Sequence, residues 1–194
     1  MNVSELAGRA CAEIAGTFAK VDASAVSALV EDLAAARRIV LHGVGREGLM
    51  MRALTMRLFH MGLDAHPVGD MTTPAVGAGD LLVVSAGPGE FSTVMALIGV
   101  ARNAGARVAV VTAQPDGAAA QAADVVMCLP AQTMASDSGP GASAVLSMGS
   151  AFEGAQYVFF EVLVLLLRAL GREARVYIPD RLTEGYGPNA AALT

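Results

Sequence analysis

The chain has 194 residues, a formal net charge of −5, 54% hydrophobic residues and only 16% charged ones. That length suits one domain, able to bury roughly 70% of its unfolded surface. A negative charge without any Lys/Arg-rich stretch excludes nucleic acid and anionic membranes as partners. So few charges would leave apolar surface in water, and a homodimer or homotetramer is the expected remedy. Cys11 and Cys128 stand far apart without metal-type spacing, so free thiols, no metal and a reducing, cytoplasmic location are expected. The N-terminus carries Glu5 and no signal-type apolar stretch, and the apolar run Tyr157–Leu170 is broken by Glu161 and Arg168 and is too short to span a bilayer.

Helical spacing opens the chain, first over Ser4–Lys20 and again over Ala23–Arg37. Arg38–His42 reads as a short buried strand, closed by Gly43-Val44-Gly45, and Glu47–Met61 as a helix stopped by Gly62. Asp64–Val68 is a weaker strand, followed by a Thr/Pro/Gly loop through Pro74 and a turn at Gly77–Asp80. Leu81–Ser85 is an apolar strand cut by Ala86-Gly87-Pro88-Gly89; Phe91–Asn103 is helical, Arg107–Thr112 a strand, Gly117–Ala123 a short helix and Val125–Leu129 the last strand. Ala135–Gly141 is a loop, a long apolar helix runs from about Ala144 or Ser150 to Leu170, and the tail from Gly171 is irregular. Strands alternating with helices give an α/β domain with a parallel sheet covered on both faces, preceded by two N-terminal helices. The layout is a single domain over 1–194: leading helices to about 37, sheet core about 38–130, long helix and tail from about 142.

Ligands of such sheets bind beyond the carboxyl ends of the strands, where strand order reverses. The turn from Gly43 to Gly48 follows a strand and opens a helix, so its amides favour negative charge. It lacks the Gly-Lys-Ser/Thr of a Walker loop, and GVGREG has GxGxxG spacing that alone is weak evidence for a dinucleotide. No cofactor is expected.

The run MRLFHMGLDAHPVGDMTTPAVGAGDLLVVSAGPGE resembles the sugar isomerase (SIS) domain, and within it the 6-phospho-3-hexuloisomerases. The order of features is similar: two leading helices, a GVGR turn, Arg57-Leu58-x-His60-x-Gly62, a Thr-Thr-Pro loop, and Met148-Gly149-Ser150-x-Phe152-Glu153 opening the last long helix. The resemblance implies a flavodoxin-like five-stranded sheet, an oligomer with sites shared between subunits, and a cofactor-free aldose–ketose isomerase acting on a sugar phosphate or related sugar derivative.

Two departures from the family pattern bear on that implication. SIS domains that bind phosphosugars carry a hydroxyl residue where this chain has Glu47, and a Ser-Gly-Ser-Gly-x-Thr turn where it reads Ala86-Gly87-Pro88-Gly89-Glu90-Phe91. Pro88 offers neither hydroxyl nor amide N–H. A Glu47 carboxylate facing the anion would cost about 4 kcal/mol at ~4 Å and an effective dielectric of ~20. Glu47 could instead be a first-turn carboxylate pointing at solvent. Ser85, Ser92 and Thr93 stand close enough in sequence to replace the missing donors.

Isomerisation needs a base to move a proton between C1 and C2 and a group to shuttle the hydroxyl proton. Glu153, in the Phe-Glu motif, is the candidate base; its structural alternative is a helix-start carboxylate near Ser150. The isomerases of this family carry a His in a C-terminal Arg-His-Ala-Asn-Leu-Glu segment, whereas this chain ends without one, leaving His60 as the alternative shuttle or else a subunit contact. Gly43, Gly45, Arg46, Glu47, Arg57, Thr72, Thr73, Ser85, Gly87, Gly89 and Ser92 are the candidate substrate-binding residues. Thr72 and Thr73 serve equally as turn chemistry before Pro74, and Asp137 and Ser138 could close over a ligand. The competing function is a non-catalytic SIS module binding a sugar derivative that need not be phosphorylated.

Overall fold

The structure, a computed structural model, describes residues 2–138 and 145–170. Asn2 caps helix α1 (Val3–Phe18) by accepting the Ser4 amide at 3.0 Å, and Asp22 caps α2 (Ala23–Ala35) through Ser24 at 2.9 Å. Strand β1 (Ile39–His42), α3 (Gly45–His60), β2 (Ala65–Pro67), β3 (Leu81–Ser85), α4 (Ser92–Asn103), β4 (Arg107–Thr112), α5 (Ala118–Gln121) and β5 (Val125–Cys128) follow. A 3-10 turn at Met134–Ser136 and helix α6 (Ser150–Ala169) complete the described elements. Every expected strand is present. The expected Ala135–Gly141 loop instead starts inside the 3-10 turn, held by a reciprocal cap between Thr133 and Ser136; residues 139–141 lie outside the described residues, as does the tail from Gly171.

All four strand pairs are parallel, in the order β2-β1-β3-β4-β5. This is the flavodoxin-like arrangement, and its topological switch lies between β1 and β3. Leu81 to Val84 are buried without alternation because helices cover both faces. On one face α2, α3 and α6 pack over Leu41, Val83 and Val111; on the other α4 and α5 cover Val40, Leu82 and Val110. At 20 residues α6 is long and apolar enough to span a membrane, beyond what the run Tyr157–Leu170 suggests. Half of that stretch is nevertheless buried in the core, led by Phe152, Phe159 and Leu163, so α6 is a core helix.

Candidate active site

At the switch point the chain leaves β1 through Gly43 and enters α3 at once. Gly43 and Gly48 face each other so closely that a Cβ on Gly48 would lie 2.5 Å from the Gly43 carbonyl oxygen. Gly45 supplies a left-handed backbone, φ +58°. The helix therefore begins two residues before the expected Glu47, and its first turn, without a side-chain cap, sits against the strand ends. Arg46 points outward there, while Glu47 points in.

Glu47 is not the solvent-facing carboxylate that a first-turn position suggests: it is only 7% exposed. Its Oε2 accepts the Ser85 hydroxyl and, at 2.9 Å, the Gly87 amide. Ser85 in turn accepts from Gln156 Nε2 at 2.7 Å. Ser85 and Gln156 are both fully buried, so α3, the end of β3 and α6 are tied by one polar chain. Ser85 thus supports Glu47 and does not offer its hydroxyl to a ligand. Gly87 must be glycine here, because a Cβ would meet Glu47 Oε1 and the Phe152 ring, each at 2.8 Å. Burial pushes the Glu47 carboxyl above its ordinary range, against the two hydrogen bonds that favour the ionised form; the nearby Glu153 charge adds to the rise.

Glu153, in the first turn of α6, accepts from Arg46 Nε at 2.9 Å. Arg46 also donates to Ser150 Oγ at 3.0 Å and to the Met148 carbonyl, clamping α3 to the start of α6. Burial raises the Glu153 carboxyl while the Arg46 charge and hydrogen bond pull it back. Met148 and Gly149, at φ +54° and +82°, make the sharp entry to α6; Asp137 holds that entry by accepting the Met148 amide at 2.7 Å and a Gln132 N–H. A left-handed conformation at a non-glycine residue marks a turn held by its surroundings.

A cavity of about 600 Å³ opens between these elements, lined by Val44, Arg46, Glu47, Phe91, Met148 and Glu153 among others. Three carboxylates line it: Asp137, whose two oxygens accept from Gln132 and the Met148 amide, Glu47, buried without a cation, and Glu153, paired with a guanidinium. The two glutamates, so differently surrounded, can divide acid and base roles. The first turn of α4 begins at Ser92, next to Phe91, with no side-chain cap and with exposed Ser92 and Thr93. Gly89, at φ +97°, packs against Gly117 and Gln114 and shapes the turn without facing the cavity lining.

Other sequence candidates lie elsewhere. His60 ends the 16-residue α3, whose length of about 24 Å, at ~1.5 Å per residue, separates it from the cavity of its own chain. It is exposed, its ring tilted 54° to that of Phe59, and it stands away from the cavity of its own protomer. Arg57 pairs with Glu161 at 3.0 Å and joins α3 to α6. Thr73 donates to the Pro67 carbonyl at 2.6 Å, which is turn chemistry, and Thr72 is exposed beside it. Their loop follows a smaller cavity of about 180 Å³ lined by His42, Gly43, Arg52 and Pro67. Among the described residues no group of three His, Cys, Asp or Glu side chains gathers as metal ligands. Sequence reasoning missed Gln156; its signal was its place one turn after Glu153 on the same face.

The family model of the SIS domain matches residues 32–155. The chain belongs to the SIS domain family. It is 42% identical over 151 residues to the 3-hexulose-6-phosphate isomerase of Mycobacterium gastri, covering 78% of this chain and 75% of that protein. The Bacillus subtilis enzyme of the same name is 28% identical over 167 residues, 86% of this chain and 90% of that one. Among solved structures, a hypothetical protein superposes with a TM-score of 0.80 at 26% identity, covering 92% of this chain and 97% of that one. A Methanococcus jannaschii protein, for which the function of 3-hexulose-6-phosphate isomerase has been inferred, gives 0.71 at 25% identity, covering 86% and 89%.

Proposed function

We propose that this SIS domain is a sugar-phosphate isomerase of the 3-hexulose-6-phosphate type, with Glu153 as the base. The observation that carries the reading is Glu153 itself: a carboxylate at the start of α6, fixed by Arg46 at 2.9 Å, opening on a cavity of about 600 Å³ at the switch point. In a 3-hexulose the carbonyl is at C3, so the proton shift runs between C3 and an adjacent carbon. Glu153 takes the proton from the carbon bearing the hydroxyl and returns it to the former carbonyl carbon. Arg46 keeps the base ionised and, half exposed, has donor capacity for the substrate.

With Ser85 and Gly87 spent on Glu47, the phosphate falls to the first turn of α4, whose amides have no intrahelical partner and whose Ser92 and Thr93 hydroxyls are exposed. Glu153→Gln should lower turnover of 3-hexulose 6-phosphate by about 10²–10⁴-fold. Full turnover in that variant would remove the base. The spent donors favour a second reading, a module binding an unphosphorylated sugar; thermal stabilisation by such sugars, without turnover of the phosphorylated one, would establish it.

Assembly as a homodimer or homotetramer fits the apolar side chains left in water on α3 and α6, among them Phe59, Tyr157, Val162 and Leu165. A monomeric mass in solution at micromolar concentration would refute it.

A further inference from the structure

Within one protomer the hydroxyl-proton shuttle has no owner, since His60 stands at the far end of α3. The cavity supplies one. We propose that Glu47 is the second proton-transfer group of this site, exchanging protons with the two substrate oxygens through Oε1 while Glu153 moves the proton between carbons. This rests on the isomerase reading and assigns a step that reading leaves open.

Three observations carry it. Glu47 lines the same cavity as Glu153, so both reach one bound substrate. Its two oxygens are not equivalent: Oε2 accepts from Ser85 and Gly87, whereas Oε1 makes neither bond. Both donors are compatible with a neutral or an ionised carboxyl, so the proton can come and go at Oε1 without breaking the support. The side chain is also fixed, held at Oε2 by Ser85 and Gly87, with Oε1 beside the Gly87 backbone, and fixed geometry is what efficient proton transfer needs. Burial without a cation favours the neutral acid at Glu47, and the Arg46 pair favours the carboxylate at Glu153.

The step balances. Glu153 carboxylate removes the proton from the hydroxyl-bearing carbon; the C–H electron pair becomes the C=C bond, and the carbonyl π pair moves onto oxygen, which takes the proton from Glu47. A neutral enediol results, with Glu153 protonated and Glu47 ionised. Glu47 then removes the proton of the other enediol hydroxyl, which becomes the new carbonyl, while Glu153 returns its proton to the former carbonyl carbon. Both residues end as they began, one carbon is oxidised and its neighbour reduced, and no external oxidant enters.

The test separates carbon from oxygen protons. Wild type, Glu47→Gln and Glu153→Gln are incubated with 3-hexulose 6-phosphate in D₂O, following deuterium at the carbon by NMR and conversion to the 2-hexulose 6-phosphate. An amide at position 47 can still donate a hydrogen bond to the carbonyl oxygen but cannot take up the second hydroxyl proton. Glu47→Gln should therefore slow exchange but lose more of turnover, about 10²-fold or more, and the exchange-to-turnover ratio rises at least about tenfold. Glu153→Gln should lose both together. An unchanged ratio in Glu47→Gln, however slow, overturns the assignment while leaving the isomerase reading intact. Wild type without exchange or turnover overturns the isomerase reading and this assignment with it. Should Glu47→Gln not fold, Glu47→Ala with added formate carries the test: restored turnover supports proton transfer, and no response to formate overturns it.

Discussion

Replacing Gly48 by Ala tests the seat of α3, on which the placing of Arg46 and Glu47 depends. Helix propensity alone favours the change by about 1 kcal/mol, since glycine is the costlier residue in a helix interior. The structure demands the opposite sign. The new Cβ would lie 2.5 Å from the Gly43 carbonyl oxygen, where ordinary contact begins at 3.4 Å, so about 0.9 Å must be found. The atom in the way is backbone at the end of β1, which cannot swing aside as a flexible side chain would. Overpacking of this kind costs about 1–3 kcal/mol and sometimes more, which against the propensity gain leaves Gly48→Ala destabilised by about 1–2 kcal/mol. Gly99, inside α4 with nothing within 4 Å of its would-be Cβ, is the control, and Gly99→Ala should gain about 0.5–1 kcal/mol. Urea denaturation of both variants at one protomer concentration reads the difference directly. Stabilisation of both by similar amounts would refute the close seating of α3 on β1.

Two further substitutions probe the base at the carboxyl ends of the strands and an ion pair at their amino ends. Arg46→Met removes the charge that offsets burial at Glu153, so the base holds its proton to higher pH. The acid limb of kcat/KM should therefore move upward, each unit costing about tenfold on the acid side, and Arg46→Lys should restore part of it; an unmoved limb would show that Arg46 does not govern the base. Asp80, whose side chain is fully buried, accepts from Arg37 Nε and Nη2 and from the Gly77 amide, each at 2.9 Å. Asp80→Asn should cost about 2 kcal/mol by the same urea measurement, most of it from lost charge-assisted bonds; a loss below about 0.5 kcal/mol would count against that network.

The fold was legible because every level of the sequence pointed one way. Apolar runs such as Leu81–Val84 lie between glycine turns, helical spacing fills the gaps, and parallel neighbours need crossover helices. Boundaries moved where capping or glycine geometry decided them. α3 starts at Gly45 because a left-handed glycine joins it to β1, and a glycine in that place reads from sequence as turn. The place of Glu153 at the start of α6 was legible because it stands in a contiguous motif. The remoteness of His60 from its own protomer's cavity was not legible, because a shared helix face with Arg57 says nothing about distance along the axis.

Glu47 was the hardest residue to read, and the reason is physical. A glutamate in the first turn of a helix is ordinarily exposed, and charged side chains are almost never buried unless partnered. Its partners come from 38 and 40 residues away, in the turn whose loss of hydroxyl donors seemed a separate defect. The two departures are one substitution in space. A carboxylate at position 47 fills the place where the end of β3 offers donors, and the donors that remain there, Ser85 and Gly87, are those that hold it. Pro88 costs nothing to Glu47, because the Gly87 amide precedes it and still donates. Gly87 cannot gain a Cβ while Glu47 and Phe152 stand where they do, so the turn and the carboxylate constrain each other. What sequence presented as two losses to a phosphate site is, in the folded chain, one buried acid with its own support.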